Sequence, residues 1–345
     1  MTQQNTILFK TFRKRYLPPL EAEMRALVQA TGPHHDRLFG MLRYHLGWAD
    51  ASFRSRRAQS GKRVRPVLCL LACEACGSAW ERAVPAGAAI EFLHNFSLIH
   101  DDIEDQDETR RGRPTVWSLW GRAQGINAGD ALFAISQLAL VRLSERSVPA
   151  PTVVAALRLF NCTGLALTEG QHLDIGFESC DAVSIPEYLA MVEGKTAALI
   201  ACACEMGALI AETSEARREH LRAFGHHLGM AFQMKDDVLG IWGDPATTGK
   251  PVGADIARRK KTLPIVHGLE RSAELGALLA QETLSAAEVQ RATRLLERAR
   301  SREYTEQVAG KHHARALAAL DEAGLEGAAT EALRELAQAL LGRDH

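Results

Sequence analysis

The stretch LIHDDIEDQDETRRGRPTVW, Leu98 to Trp117, sets an apolar helical run directly against a dense block of acids and then arginines. Pro85 can open a helix that carries Phe92, Leu93, His94 and Phe96 and reaches Asp105 without a strong breaker. At 3.6 residues per turn, Asp101 and Asp105 fall one turn apart on the same face, while Asp102 points about 100° away. Carboxylates crowded at the end of a greasy helix repel one another unless cations compensate them. Two oxygen ligands one turn apart, with space for water, suit magnesium bridging to phosphate. Asp102 is expected to play a supporting role or to face solvent.

The same plan recurs at Phe232-Gln233-Met234-Lys235-Asp236-Asp237. Gln233 lies one turn before Asp237 and offers hydrogen bonds without charge. Gly240 stands where the first cluster has Asp105, so this site carries fewer carboxylates. Basic residues surround the two clusters in the sequence: Lys62 and Arg65, Arg110 and Arg111, Lys195 and Lys250. Lys62 and Arg65, three residues apart, could share a helix face. Arginine forks and lysine point charges are the usual partners of phosphate oxygens. Alone, each would be an ordinary solubilising residue; beside two acidic sites they point to a phosphate-rich substrate held through metal ions.

Alternating strand patterns are scarce, and long Ala-, Leu-, Glu- and Arg-rich stretches show three- and four-residue apolar spacing, so the fold class is all-α. Ser184-Ile185-Pro186-Glu187 and Ser285-Ala286-Ala287-Glu288 read as helix starts with a serine cap and a glutamate three residues on. Gly240 is a plausible terminator for a helix over 230–239. No low-complexity linker separates the acidic clusters, so residues 1–345 read as one domain, with about 1–15 as a flexible start.

A formal net charge of −1 gives no broad footprint for nucleic acid. Seven cysteines, an odd number, argue against a disulfide framework and for a reducing compartment. Cys73 and Cys76 form a CxxC pair with no second pair to complete a zinc site. Residues 1–15 lack the apolar stretch of a secretory signal. The segment 196–211, taken as the most apolar, is shorter than the ~20 residues needed to span a bilayer. A cytoplasmic protein without a transmembrane segment is expected.

In order, GKRVRP, LIHDDIEDQDETRRGRPTVW, EGQHLDI, GKT and FQMKDDVLGIWGDPATTGKPVGADI resemble the motifs of the trans-isoprenyl diphosphate synthases, over about residues 55–270. The resemblance implies an all-helical bundle around a deep central cavity and a homodimer. It implies magnesium-dependent head-to-tail condensation of isopentenyl diphosphate with an allylic diphosphate, by ionisation, condensation and elimination. By the same resemblance Asp101, Asp105 and Asp236 bind about three magnesium ions. Arg110, Lys195 and Lys250 hold the allylic diphosphate. Lys62, Arg65, His94 and Arg111 form the isopentenyl diphosphate pocket, and Thr196 and Gln233 face the nascent cation. Gln171 and Asp174 match a GQxxD motif near the metals; Asp102, Asp237 and Lys260 support the site from behind.

Departures are few: Ser60 precedes Gly61 where many members have a second glycine, and Gly240 replaces the last acid of the second motif. Phe96 lies five residues before Asp101, about 7.5 Å along the helix, beside Ser97 and a turn from Leu93. In the family, an aromatic at this position alone resembles the pattern of twenty-carbon synthases, which favours geranylgeranyl diphosphate. Farnesyl or longer products remain alternatives, as does a different helix setting the floor. A class I terpene cyclase or a non-catalytic partner subunit fits less well, because the isopentenyl-binding set and the first acidic motif are both present.

Overall fold

The computed structural model describes residues 7–56, 58, 61–180, 182–244, 252–281 and 283–341. Helix follows helix: α1 (Ile7–Leu27), α2 (Asp36–His45), α3 (Val64–Ala75), α4 (Val84–Glu104), α5 (Val116–Trp120), α6 (Arg122–Val141) and α7 (Ala150–Glu178). Then come α8 (Ile185–Val192), α9 (Ala198–Ile210), α10 (Glu215–Trp242), α11 (Ala254–Ala257), α12 (Leu263–Leu269) and α13 (Ala273–Leu279). The series closes with α14 (Ala286–Arg298), α15 (Ser301–Glu322) and α16 (Ala328–Leu341). Among the described residues, the paired strands are β1 (Thr109–Arg110) and β2 (Arg113–Pro114), an antiparallel hairpin with Arg110 opposite Arg113.

Local signals set several boundaries. Ser184 and Ser285 each form a reciprocal capping box with the glutamate three residues on. Pro85 sits in the first turn of α4, where its missing N–H costs nothing, and Asp105 caps the other end. Two boundaries differ from expectation. Gly240 does not end its helix: α10 continues to Trp242, and the carboxylate of Asp255 lies over the glycine. Lys62 and Arg65 do not share a helix face. Arg63, with φ 53°, is the left-handed cap of α3, so Lys62 lies before the helix and Arg65 in its first turn.

The largest apolar cluster takes in α1, α3, α4, α6 and α9, with Phe92 and Leu93 of α4 fully buried. α4 therefore enters the core along its middle and delivers its acidic end to the edge. A second cluster, of Tyr188, Met191, Met230, Met234 and Leu263, ties α8, α10 and α12 together. Between α8 and α9 the helix widens into a π turn, Glu193–Ala197, which carries Lys195 and Thr196. Such turns are rare and concentrate at functional sites. α7 packs so tightly there that a Cβ on Gly170 would lie 2.1 Å from the backbone nitrogen of Lys195.

Candidate active site

Asp101 is half-buried at the end of α4 and Asp105 is exposed. Among the described residues neither carboxylate makes a side-chain hydrogen bond. Burial pushes the Asp101 carboxyl up to about 7, partly offset by Lys195 and reinforced by Asp105 and Glu104. Asp105 is raised as well, chiefly by desolvation. Both are acids that burial makes costly to ionise despite the lysines nearby. Asp102 faces the other way and is buried, not solvent-facing: Arg110 Nε donates to its Oδ1 at 2.5 Å. Burial nevertheless lifts Asp102 to about 6.

The tight hairpin that follows aims successive arginines differently. Arg110 turns back to Asp102. Arg111, with φ 54°, reaches the loop before α3, where a Cβ on Gly61 would lie 2.9 Å from its Nη2. Arg65 and His94 meet there, Nη1 to Nε2 at 3.3 Å. Burial, then Arg65 and Arg111, hold His94 well below the usual histidine range. Exposed Lys62 completes this basic corner. Its backbone is fixed by Arg63, which donates to Glu91 at 2.6 Å and Glu21 at 3.2 Å.

A second polar chain lines the opposite wall. Gln171 on α7 donates to Glu104 at 2.7 Å, linking the GQxxD segment to the end of α4. One turn on, Asp174 pairs with Lys195 from the π turn. Thr196 donates to Gln233 at 3.0 Å, and Gln233 donates to Asp237 at 2.9 Å. Asp237 also accepts from the Tyr188 hydroxyl and, at 2.9 Å, from the backbone of Leu263. Even so, burial lifts its carboxyl to about 6. Asp236, the next residue back, is exposed. Against a desolvation cost, Asp174, Asp237, Asp255 and Asp236 hold the Lys260 ammonium above its ordinary pKa. Lys260 thus stands where the two acidic walls meet, because Asp105 also faces it.

The structure therefore brings the two acidic motifs, Lys195, Lys260 and the Gln171–Asp174 turn to one site, with the Lys62–Arg65–His94–Arg111 corner on the far side of Asp102. Lys250 lies outside the described residues. Phe96 packs on Phe133 of α6 with ring centroids 5.3 Å apart, and on His100 at 4.7 Å. Leu93 lies deeper, its Cδ1 4.0 Å from where a Cβ on Gly164 of α7 would sit. Ser97 turns its hydroxyl back to the carbonyl of His94. Sequence reasoning missed Glu104, Tyr188 and the Arg63–Glu91 pair. Glu104, inside the first acidic block, was the one such residue with a local signal.

The family whose description is polyprenyl synthetase matches residues 48–296. The geranylgeranyl diphosphate synthase of Mycobacterium tuberculosis is 45% identical over 302 residues, covering 86% of this chain and 85% of that protein. A (2E,6E)-farnesyl diphosphate synthase of Mycobacterium bovis is 44% identical over 278 residues, covering 78% of this chain and 76% of its own. The crystal structure of a polyprenyl synthetase from Streptomyces coelicolor A3(2) superposes with a TM-score of 0.88 at 37% identity. It covers 96% of this chain and 99% of that one.

Proposed function

The chain belongs to the polyprenyl synthetase family, a metal-dependent class of prenyltransferases acting on isoprenyl diphosphates, and on that premise we propose that it makes geranylgeranyl diphosphate. The carrying observation lies beneath Asp101: Phe96 of α4 packs on Phe133 of α6, and Phe133 and Leu93 both lie against Gly164 of α7. The names of its relatives do not decide the length, since the geranylgeranyl and farnesyl synthases match at 45% and 44%.

Asp101, Asp105 and Asp236 fit magnesium. The first two accept no side-chain hydrogen bond among the described residues, and burial pushes Asp101 up to about 7 despite Lys195 and Arg110 nearby. Among those residues no three acidic, histidine or cysteine side chains converge into a ready cage. That suits a cation held by one or two carboxylates and completed by phosphate oxygens. Bound there, about three magnesium ions would neutralise the charge that the allylic diphosphate gains as it departs. Lys195 and Arg110 hold that diphosphate, with Lys250 assigned to the same role from sequence. Lys62, Arg65, His94 and Arg111 hold isopentenyl diphosphate. Thr196 and Gln233 place polar oxygens toward the cation, while Asp102, Gln171, Asp174, Asp237 and Lys260 fix the ligating groups.

We read residues 1–345 as one domain and the active form as a homodimer. α6 with the turn after it, Arg122–Arg146, and α7, Ala150–Glu178, are long and apolar enough to cross a membrane by length and composition alone. Their exposed apolar residues support a second copy as the cover instead: Leu138 is 58% exposed, Val154 65% and Leu165 61%. Such a patch invites an isologous contact. The free cysteines fit a reducing cytoplasm.

The test is product length. Purified protein, magnesium and isopentenyl diphosphate are incubated with dimethylallyl, geranyl or farnesyl diphosphate, and the dephosphorylated alcohols are separated. Geranylgeraniol as the main product is expected; a fifteen-carbon alcohol would discard the reading of Phe96.

A further inference from the structure

We propose that His45 is a further ligand of isopentenyl diphosphate, taking up a proton as the diphosphate arrives. The inference rests on the basic pocket assigned above and adds to it a residue from α2, well outside that pocket's motifs.

His45 ends α2 and lines a small open recess with Asp102, Arg110, Arg111, Arg113 and Thr115. Arg111 joins this recess to the corner occupied by Gly61, Arg65 and His94. Three residues that line the recess each carry an enclosed polar atom without a hydrogen-bond partner in the structure: His45 Nε2, Asp102 Oδ2 and Thr115 Oγ1, with Asn95 within side-chain reach of the His45 ring. Buried polar atoms are seldom left so, and several around one recess point to a missing polar occupant.

The charges around the ring say which sign that occupant has. Arg110 and Arg111 face His45 from the hairpin, Arg63 from the cap of α3, and His94 and Asn95 from α4. The acids nearby are already engaged: Asp102 with Arg110, and Glu91 and Glu21 with Arg63. What remains is a positive field. Burial first, then Arg111, Arg110 and Arg63, push His45 down to about 3, so its imidazole is neutral in the empty pocket. A diphosphate brings two or three negative charges and reverses that field, favouring the imidazolium. The ring then becomes a charged donor only when there is an anion to receive it. Proton and ligand are linked, so isopentenyl diphosphate should bind more weakly as pH rises through the bound-state value.

Steady-state kinetics of His45→Asn test this. The KM for isopentenyl diphosphate should rise about tenfold, with the allylic KM and the unfolding midpoint unchanged. The parent's rise in that KM between pH 7 and pH 9 should flatten. An unchanged KM and pH profile would overturn the proposal, as would both KM values and the midpoint moving together, the mark of a packing role. Lys62→Ala is the control: if it too leaves the isopentenyl KM unchanged, the pocket assignment fails, whereas if it alone raises that KM, only His45 is wrong. Should the variant not fold, calorimetry on the unaltered protein serves. Titrating isopentenyl diphosphate at pH 8 in two buffers of different ionisation enthalpy should show net proton uptake, and none would overturn the proposal.

Discussion

Replacing Gly240 by alanine should destabilise the protein, although alanine is the better helix former. Within a helix this exchange normally stabilises by up to ~1 kcal/mol. Here a Cβ on residue 240 would lie 2.0 Å from Oδ2 and 2.6 Å from Cγ of Asp255. Asp255 is only 9% exposed and sits in the first turn of α11, so its carboxylate has little room to retreat. Forcing such a contact costs roughly 1–3 kcal/mol. The expected net loss is therefore about 1–2 kcal/mol. In an Asp255→Ala background the obstruction is gone, and the same exchange should become neutral or stabilising. Urea unfolding of all four proteins measures this as a coupling of roughly 1–3 kcal/mol in the double-mutant cycle. The same effect of Gly240→Ala in both backgrounds would refute the reasoning. Gly240→Asp, which would restore the motif's last acid, should be worse still, since it adds a charge against Asp255. The shortened motif is then a packing requirement of this chain.

Asp101→Ala should abolish turnover, and chelation of divalent metal should do the same reversibly; activity surviving either would show the metal assignment wrong. Phe96→Ala should lengthen the product by opening the wall against Phe133, and an unchanged alcohol profile would remove Phe96 as the stop. Arg63→Met leaves Glu91 buried and unpaired, with an expected loss of about 3–5 kcal/mol in urea unfolding; a small loss would mean the pair is not insulated from water. His227 on α10 and His312 on α15 approach at 3.1 Å and are each pushed down to about 4, by burial first and then by neighbouring histidines and Arg315. Between about 4 and the ordinary 6.5 the native state binds fewer protons than the unfolded chain, so stability should fall as pH drops through that window. Unfolding midpoints at pH 7.5 and pH 5 should differ less in His312→Gln than in the parent; an equal difference would clear the pair.

The helical class and the acidic motifs were legible because their signals are local. Asp101 and Asp105 owe their shared face to helix period alone, and the capping boxes at Ser184 and Ser285 need only four residues each. Arg110 was harder: its partner Asp102 is near in sequence, but only the turn of the hairpin decides which arginine faces back. What stayed illegible depends on distant chain meeting by packing. Gly240 looked like a terminator because nothing nearby in sequence announces Asp255 above it. Tyr188 gives no sign of holding Asp237, 49 residues away, and His45 sits in a run with no motif at all. Lys62 and Arg65 misled for another reason: the left-handed cap at Arg63 is set by buried Glu91, so the helix starts too late to include both.

Two of the cations assigned to the allylic diphosphate already have acidic partners in this structure. Arg110 holds Asp102, Lys195 holds Asp174, and Arg65 meets His94. Asp101 and Asp105, by contrast, accept no side-chain hydrogen bond among the described residues. The charge balance is therefore local and lopsided: Arg110 and Lys195 are in internal ion pairs on the phosphate-binding side, while Asp101 and Asp105 on the metal-binding side have cations nearby but no side-chain hydrogen bond. A diphosphate entering alone would compete with Asp102 and Asp174 for their cations while meeting Asp101 and Asp105 as like charges. Divalent metal entering alone would relieve Asp101 and Asp105 but lack the phosphate oxygens that complete its shell. Together each supplies what the other's site lacks, so their binding energies must be coupled, and by linkage the coupling runs equally both ways.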